Sequence, residues 1–150
     1  MKKTGIIFLA ALLLMTMLLF GCGKEKEINY DHFIQTIASS NSGVAAAIDG
    51  EVRGQNYVLV FVNVQNDTKD PVTVRKGDYA LHAGGETYVC DGYLARIELQ
   101  SGGAGSERLT TLAFDTIGKG DGKKLGVLFF CDANVSGDFT VTFHDREVQR

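Results

Sequence analysis

The sequence is poor in the residue groupings that most chemistry needs. Its three cysteines, Cys22, Cys90 and Cys131, form no CxxC pair and have no histidine close by, so a zinc site is not expected. Lysine and arginine number 15 against 18 aspartates and glutamates. No basic stripe interleaved with aromatics occurs, which speaks against nucleic-acid binding. No GxSxG turn is present to raise a serine nucleophile beside a histidine. The stretch Gly118 to Lys124 (GKGDGKK) lacks the spacing and the serine or threonine of a phosphate loop, and it leads into a β-like segment where the anion would need a helix start. Read as a calcium loop, the same region puts Ile117 and Lys119 where oxygen ligands belong, and no glutamate closes it. His32, His82 and His144 are far apart and read as surface residues. Asp91, Glu98, Asp115 and Asp132 read as a solvated acidic face. The sequence therefore predicts no catalytic set, no metal and no cofactor.

What the chain does have begins at its front. Lys2 and Lys3 precede an uncharged run from Gly5 to Phe20, the layout of a secretory signal. The run falls short of the roughly 20 apolar residues that cross a bilayer. It is followed by Gly21, Cys22 and a polar stretch, Gly23 to Asn29, that reads as a flexible tether. Leu19, Phe20, Gly21 and Cys22 resemble the lipobox of bacterial lipoproteins. That resemblance implies cleavage after residue 21, a diacylglycerol thioether on Cys22 and a membrane as the first partner. Two acyl chains hold where one is marginal, at about 0.8 kcal/mol per buried methylene. Removing residues 1–21 leaves 150 − 21 = 129 residues with 13 basic and 18 acidic side chains, a net charge of −5. That length suits one domain. Cys90 and Cys131 then remain in a disulfide-permissive compartment. They are a candidate bridge or two separate buried thiols, and the sequence leaves both readings open.

Past the tether, Phe33, Ile34, Ile37 and Ala38 fall at helical spacing and Asp31 stands where a cap would. The segment 22–43 is thus read as lipidated cysteine, tether and short helix. From residue 44 onward the texture is of period two. Val58, Val60, Val62 and Val64 share one face of a long strand, the best core candidate in the chain. Leu125, Val127, Phe129 and Cys131 share a face of another. Asp49-Gly50 and Gly84-Gly85 mark turns, and Ser101 to Ser106 (SGGAGS) a glycine-rich loop. Ala95, Ile97 and Leu99 share one side of their strand, with Arg96 and Glu98 on the other, and Leu112 and Phe114 are in phase on theirs. Residues 44–150 are accordingly read as an all-β antiparallel sandwich of seven to eight strands. The patterns NYVLVFVNVQNDTKDPVTV, DYALHAGGETY and LTTLAF, with Asn66, Pro71, Tyr79 and Leu81 in matching places, resemble the immunoglobulin-like domains of unknown function found in Gram-positive lipoproteins. Those domains are distantly like a secreted mycobacterial antigen family. The resemblance runs from Val44 to about His144 and implies a fold, with no activity attached.

One feature is unusual for a sandwich strand, whose outward positions are normally polar. Tyr57, Leu59 and Phe61 lie opposite the valines, and Leu128 and Phe130 lie opposite Leu125 and Val127. Either the predicted helix or a long loop covers this face from within, or the five residues form a partner-binding face in which aromatics anchor the contact. The expected function is that of an exported, lipid-anchored, non-enzymatic binding domain on the outer face of the cytoplasmic membrane, its partner an unidentified protein or envelope component. The alternatives are a small surface hydrolase or enzyme inhibitor acting through loop residues, and a structural spacer of the envelope.

Overall fold

In the computed structural model, which describes residues 28–99, 107–135 and 137–150, the protein is all-β, with no α-helix among those residues. The expected signal, Cys22, most of the expected tether and the glycine-rich stretch 101–106 lie outside them. A 3₁₀ turn, Tyr30–His32, precedes eleven strands. They are β1 Phe33–Ile48, β2 Glu51–Asn66, β3 Val72–Arg75, β4 Tyr79–Ala83, β5 Glu86–Val89, β6 Gly92–Leu99, β7 Glu107–Leu112, β8 Phe114–Ile117, β9 Gly122–Cys131, β10 Phe139–Phe143 and β11 Arg146–Glu147. The strands β1-β2-β9-β6-β7 close into a barrel; β11-β10-β4-β5 form a second sheet, and β3-β8 a two-stranded ribbon. The barrel closes where β7 pairs with β1 in parallel, Ala45 opposite Glu107, so the architecture is not wholly antiparallel as the sequence led one to expect. The number of strands also exceeds the expected seven to eight.

The predicted helix is corrected to a strand. Asn29 accepts a hydrogen bond from the Asp31 amide and caps only the 3₁₀ turn. From Phe33 the chain then pairs with β2 over the full length of β1. A helix of two or three turns gains little on its own, and Thr36, Ser39, Ser40, Asn41 and Ser42 add poor helix formers. Against that stands a ladder extending from Phe33–Asn66 to Ile48–Glu51. β1 therefore runs through the expected boundary between residues 43 and 44, and the folded body begins by Phe33. The hairpin joining β1 to β2 turns on Asp49 and Gly50, with φ of +50° and +86°. This is the two-residue turn whose twist suits antiparallel strands, and the Asp-Gly pair tolerates it. The Asp49 carboxylate then accepts from the amide and hydroxyl of Thr111 at 2.7 and 2.8 Å, pinning the hairpin tip to β7.

β2 and β9 lie side by side, Leu59 opposite Leu128 and Val60 opposite Val127, and are apolar on both faces because both faces are covered. Toward the second sheet, Val58, Val60, Val62, Val64, Leu125, Val127 and Phe129 meet Tyr79, Leu81, Val141 and Phe143 in the larger core. Toward the barrel interior, Tyr57, Leu59 and Leu128 meet Ala45, Ile48 and Leu109 in a smaller one. Gly126 is required there. A Cβ at this position would stand 2.8 Å from Leu94 Cβ, closer than packed carbons approach. β6 departs from its expected phase because its register shifts between Leu94 and Arg96. Tyr93, before the shift, is buried, whereas Ala95 and Ile97, at and beyond it, are exposed. Leu112 and Phe114 are likewise exposed.

Two polar devices hold the layers together. Asn66, at the end of β2, is fully buried, and its side chain bonds the turn that follows and the end of β8. At the other end of the chain, the Val148 amide donates to Val141 O at 2.8 Å and the Ile37 amide donates to Gln149 O at 2.7 Å. The last residues thus stitch the second sheet to the first half of β1.

Candidate functional site

Each expected site residue has a definite place. Cys22 lies outside the described residues. Cys90 and Cys131 are both buried in the larger core and are free thiols in this structure. Cys90 sits where the chain leaves β5 for β6. Its thiol faces Gly92 O at 3.5 Å, and burial pushes its pKa up to about 11. Burial raises that of Cys131 as well. Two thiols so held are poor nucleophiles at neutral pH, since the thiolate is the reactive form.

The apolar face is internal. Tyr57, Leu59 and Leu128 are buried in the barrel core, with Phe61 and Phe130 half-buried against it. The cover is neither a helix nor a loop but barrel closure by the second half of β1 and by β7. Tyr57 lies over Gly43 of the facing strand and donates its hydroxyl to the Glu107 carboxylate. Burial and this anion both raise the phenol pKa. The bond links β2 to β7 at the seam where the barrel closes.

Of the histidines, His32 and His144 are exposed and His82 is half-buried. His82 lines an open cavity of about 380 Å³ with Glu86, Thr87, Asp138 and Thr140. Thr87 Oγ1 lies 3.0 Å from its Nδ1 and Thr142 Oγ1 lies 3.1 Å from its Nε2. With both ring nitrogens engaged, the imidazole would have to give up a threonine before it could move a proton for a substrate. His144 stacks on Tyr30 with ring centroids 4.9 Å apart. Among the described residues, no three His, Cys, Asp or Glu side chains gather as metal ligands would.

Among the carboxylates singled out in the sequence, Asp115 pairs with Lys123 at 2.5 Å. Asp91 is half-buried and accepts from the Phe130 amide at 2.8 Å, standing in for a ladder carbonyl. Burial raises its pKa, partly offset by that bond and by Lys76. A carboxyl whose folded pKa is raised holds its proton more tightly in the folded chain. Its contribution to stability is present below the ordinary carboxylate range and is lost as pH rises through the folded value. Asn at this position accepts the same amide without a charge. Asp91→Asn is therefore expected to raise the melting temperature at pH 7, with the gain disappearing near pH 3 in a melting series.

A second cavity, of about 370 Å³, lies between Ser40, Asn41 and Ser42 of β1 and a wall of Asn134, Val135, Gly137 and Phe139. Sequence reasoning missed it, because those β1 residues were read as the end of the short helical segment. The available signal was that no charged residue stands anywhere from Phe33 to Ile48. No family model, no curated protein and no solved structure matches the chain.

Proposed function

We propose that this protein is an exported bacterial lipoprotein, held by diacylglycerol on Cys22 at the outer face of the cytoplasmic membrane, whose body is a non-enzymatic binding module. The observation that carries the reading is Leu19-Phe20-Gly21-Cys22 at the end of an uncharged run that starts behind Lys2 and Lys3. The finer fold belongs to the same proposal: an immunoglobulin-like sandwich, supported by the packing of β2 and β9 against β4 and β10 in the larger core. From Cys22 to Ile28 an extended chain reaches about 20 Å, at roughly 3.3–3.6 Å per residue. The module accordingly works close to the lipid surface. A small hydrolase is the second reading, and the cavity of His82, Glu86 and Asp138 is where it would act; the occupied ring nitrogens weigh against it.

The test of the anchor is fractionation of cells producing the whole chain. Wild type is expected with the membranes and in the detergent-rich phase on phase partition. Cys22→Ser is expected to leave that phase. Equal partition of the two proteins would remove the proposal.

A further inference from the structure

Leu112, Ala113 and Phe114 follow one another where β7 passes into β8, and all three are exposed. Leu112 is 48% accessible and Phe114 59%, the most exposed large apolar side chain among the described residues. Apolar runs of this length are kept off protein surfaces unless something uses them. Val74 and Ile117 carry the inner side of the β3-β8 ribbon into the larger core. Phe114, of opposite parity to Ile117 and paired with Arg75, therefore points outward. The Thr73 and Thr116 hydroxyls, 3.0 Å apart, mark the same outer side. Leu112 pairs with Tyr93, and the chain bends at Ala113, whose carbonyl accepts from the Lys76 amide at 3.1 Å. The backbone of this apolar corner is thus held on both sides. The stretch 100–106 joins β6 to β7 at the opposite end of β7, beyond the Leu99–Glu107 pair.

The way the chain arrives from the membrane says what lies against the corner. Ile28 lines one cavity with Asp67, Thr68, Lys69 and Asp70, the turn that leads into β3, so the tether enters at one end of the ribbon. Phe114 is at the other end, opposite Arg75. From Val72 to Arg75 the strand advances about 10 Å, at roughly 3.3 Å per residue. The reach of about 20 Å from Cys22 to Ile28 exceeds that distance. A lipid surface is therefore available to the corner in every anchored molecule. A short flexible link holds the two at an effective concentration of about millimolar, at which even a small contact is occupied.

Charges of both signs surround the corner. Arg75 and Lys76 adjoin it, Asp49 accepts from the Thr111 amide, Asp78 from the Arg75 amide, and Asp115 pairs with Lys123. That mixture complements a headgroup layer presenting phosphate and ammonium together. We infer that the corner Leu112-Ala113-Phe114 rests on the membrane, its two large side chains in the boundary between headgroups and acyl chains, where apolar faces of peripheral proteins sink by about 5–10 Å. This inference rests on the lipid-anchor part of the proposed function and deepens it. The body keeps one face on the lipid, and the outer side of the second sheet, with His82 and Thr140, is left to the aqueous space.

The chain contains no tryptophan, so a single one reports its own surroundings. Phe114→Trp is compared with Thr140→Trp, at an exposed position beside the buried Val141 and so on the outer side of β10. Each whole chain is made in a bacterium that processes lipoproteins and reconstituted into phosphatidylcholine vesicles with and without bromine on the acyl chains. Flotation reads whether the chain is held. Emission of Phe114→Trp is expected to fall about twofold in brominated vesicles, as for a side chain at that boundary, and emission of Thr140→Trp to stay unchanged. Adding Leu112→Asp to Phe114→Trp is expected to abolish the quenching while the melting temperature barely moves, because the position is exposed. Blue-shifted emission of Phe114→Trp without quenching overturns the inference, since the cover is then protein: a partner, a second copy or another part of this chain. Equal quenching of the two variants overturns it too. A chain that does not float removes the anchor and this inference with it, whereas a chain that floats with Phe114→Trp unquenched removes this inference alone.

Discussion

Asn66→Ala is expected to be among the most damaging single substitutions in the folded body, lowering stability by about 3–5 kcal/mol and the melting temperature by about 10–20 °C. The Asn66 side-chain amide donates to Asp70 O, Ile117 O and Gly118 O at 3.0, 3.0 and 3.1 Å. Its oxygen accepts from the amide and hydroxyl of Thr68 at 3.0 and 2.6 Å. The backbone of the same residue bonds Asp121 O and Gly120 N. One side chain thus ties the turn after β2 to the segment linking β8 and β9. Alanine leaves several of these partners buried without a bond, and each such group costs about 1–3 kcal/mol, though the costs do not simply add. Asn66→Asp separates shape from bonding. It keeps the oxygen facing Thr68 but sets a carboxylate against three carbonyl oxygens. Ionisation is disfavoured in the folded state, so the damage should grow as pH rises through the ordinary carboxylate range. Melting curves of both variants at pH 3 and pH 7 check this. An Asn66→Ala protein that melts within a few degrees of wild type would mean that the hub does not hold these segments.

Leu59→Asp is expected to leave the chain largely unfolded, and Leu59→Ala to lose about 2–5 kcal/mol. Leu59 is fully buried between β1 and β9, with Leu128 opposite and Leu109 across the barrel. A carboxylate there would have neither water nor a cation. A docking residue on an open face would behave otherwise, since its replacement would weaken binding and barely alter stability. Denaturant unfolding of Leu59→Ala distinguishes the two. An unchanged midpoint would show that the barrel does not close over this face.

How far the sequence foretold this arrangement depends on how local the evidence was. The valine face of β2, the Asp49-Gly50 turn and the inward phase of Leu125, Val127 and Phe129 are signals within a few residues, and the structure has them. Asn66 was visible as the residue ending the strand before a turn, but its partners in β8 and β9 were not. The helix was misread because Phe33 and Ile37 are four apart, a spacing that fits both a helical face and every second strand position. Ile34, which a helix would have buried, is exposed. The barrel was out of reach for a different reason. Its closure rests on Ala45 meeting Glu107, a contact between distant segments with no turn between them to announce it. Apolar residues at both parities of β2 and β9 did signal a second covered face, and only its cover was unforeseen.

Cys22 carries the proposed placement at the membrane. The most direct measurement is the mass and amino terminus of the native product made by a bacterium that processes lipoproteins. A chain of 129 residues beginning at Cys22 and carrying diacylglycerol on its sulfur is the predicted result. A product that still begins at Met1, or that lacks acyl mass on Cys22, would contradict it.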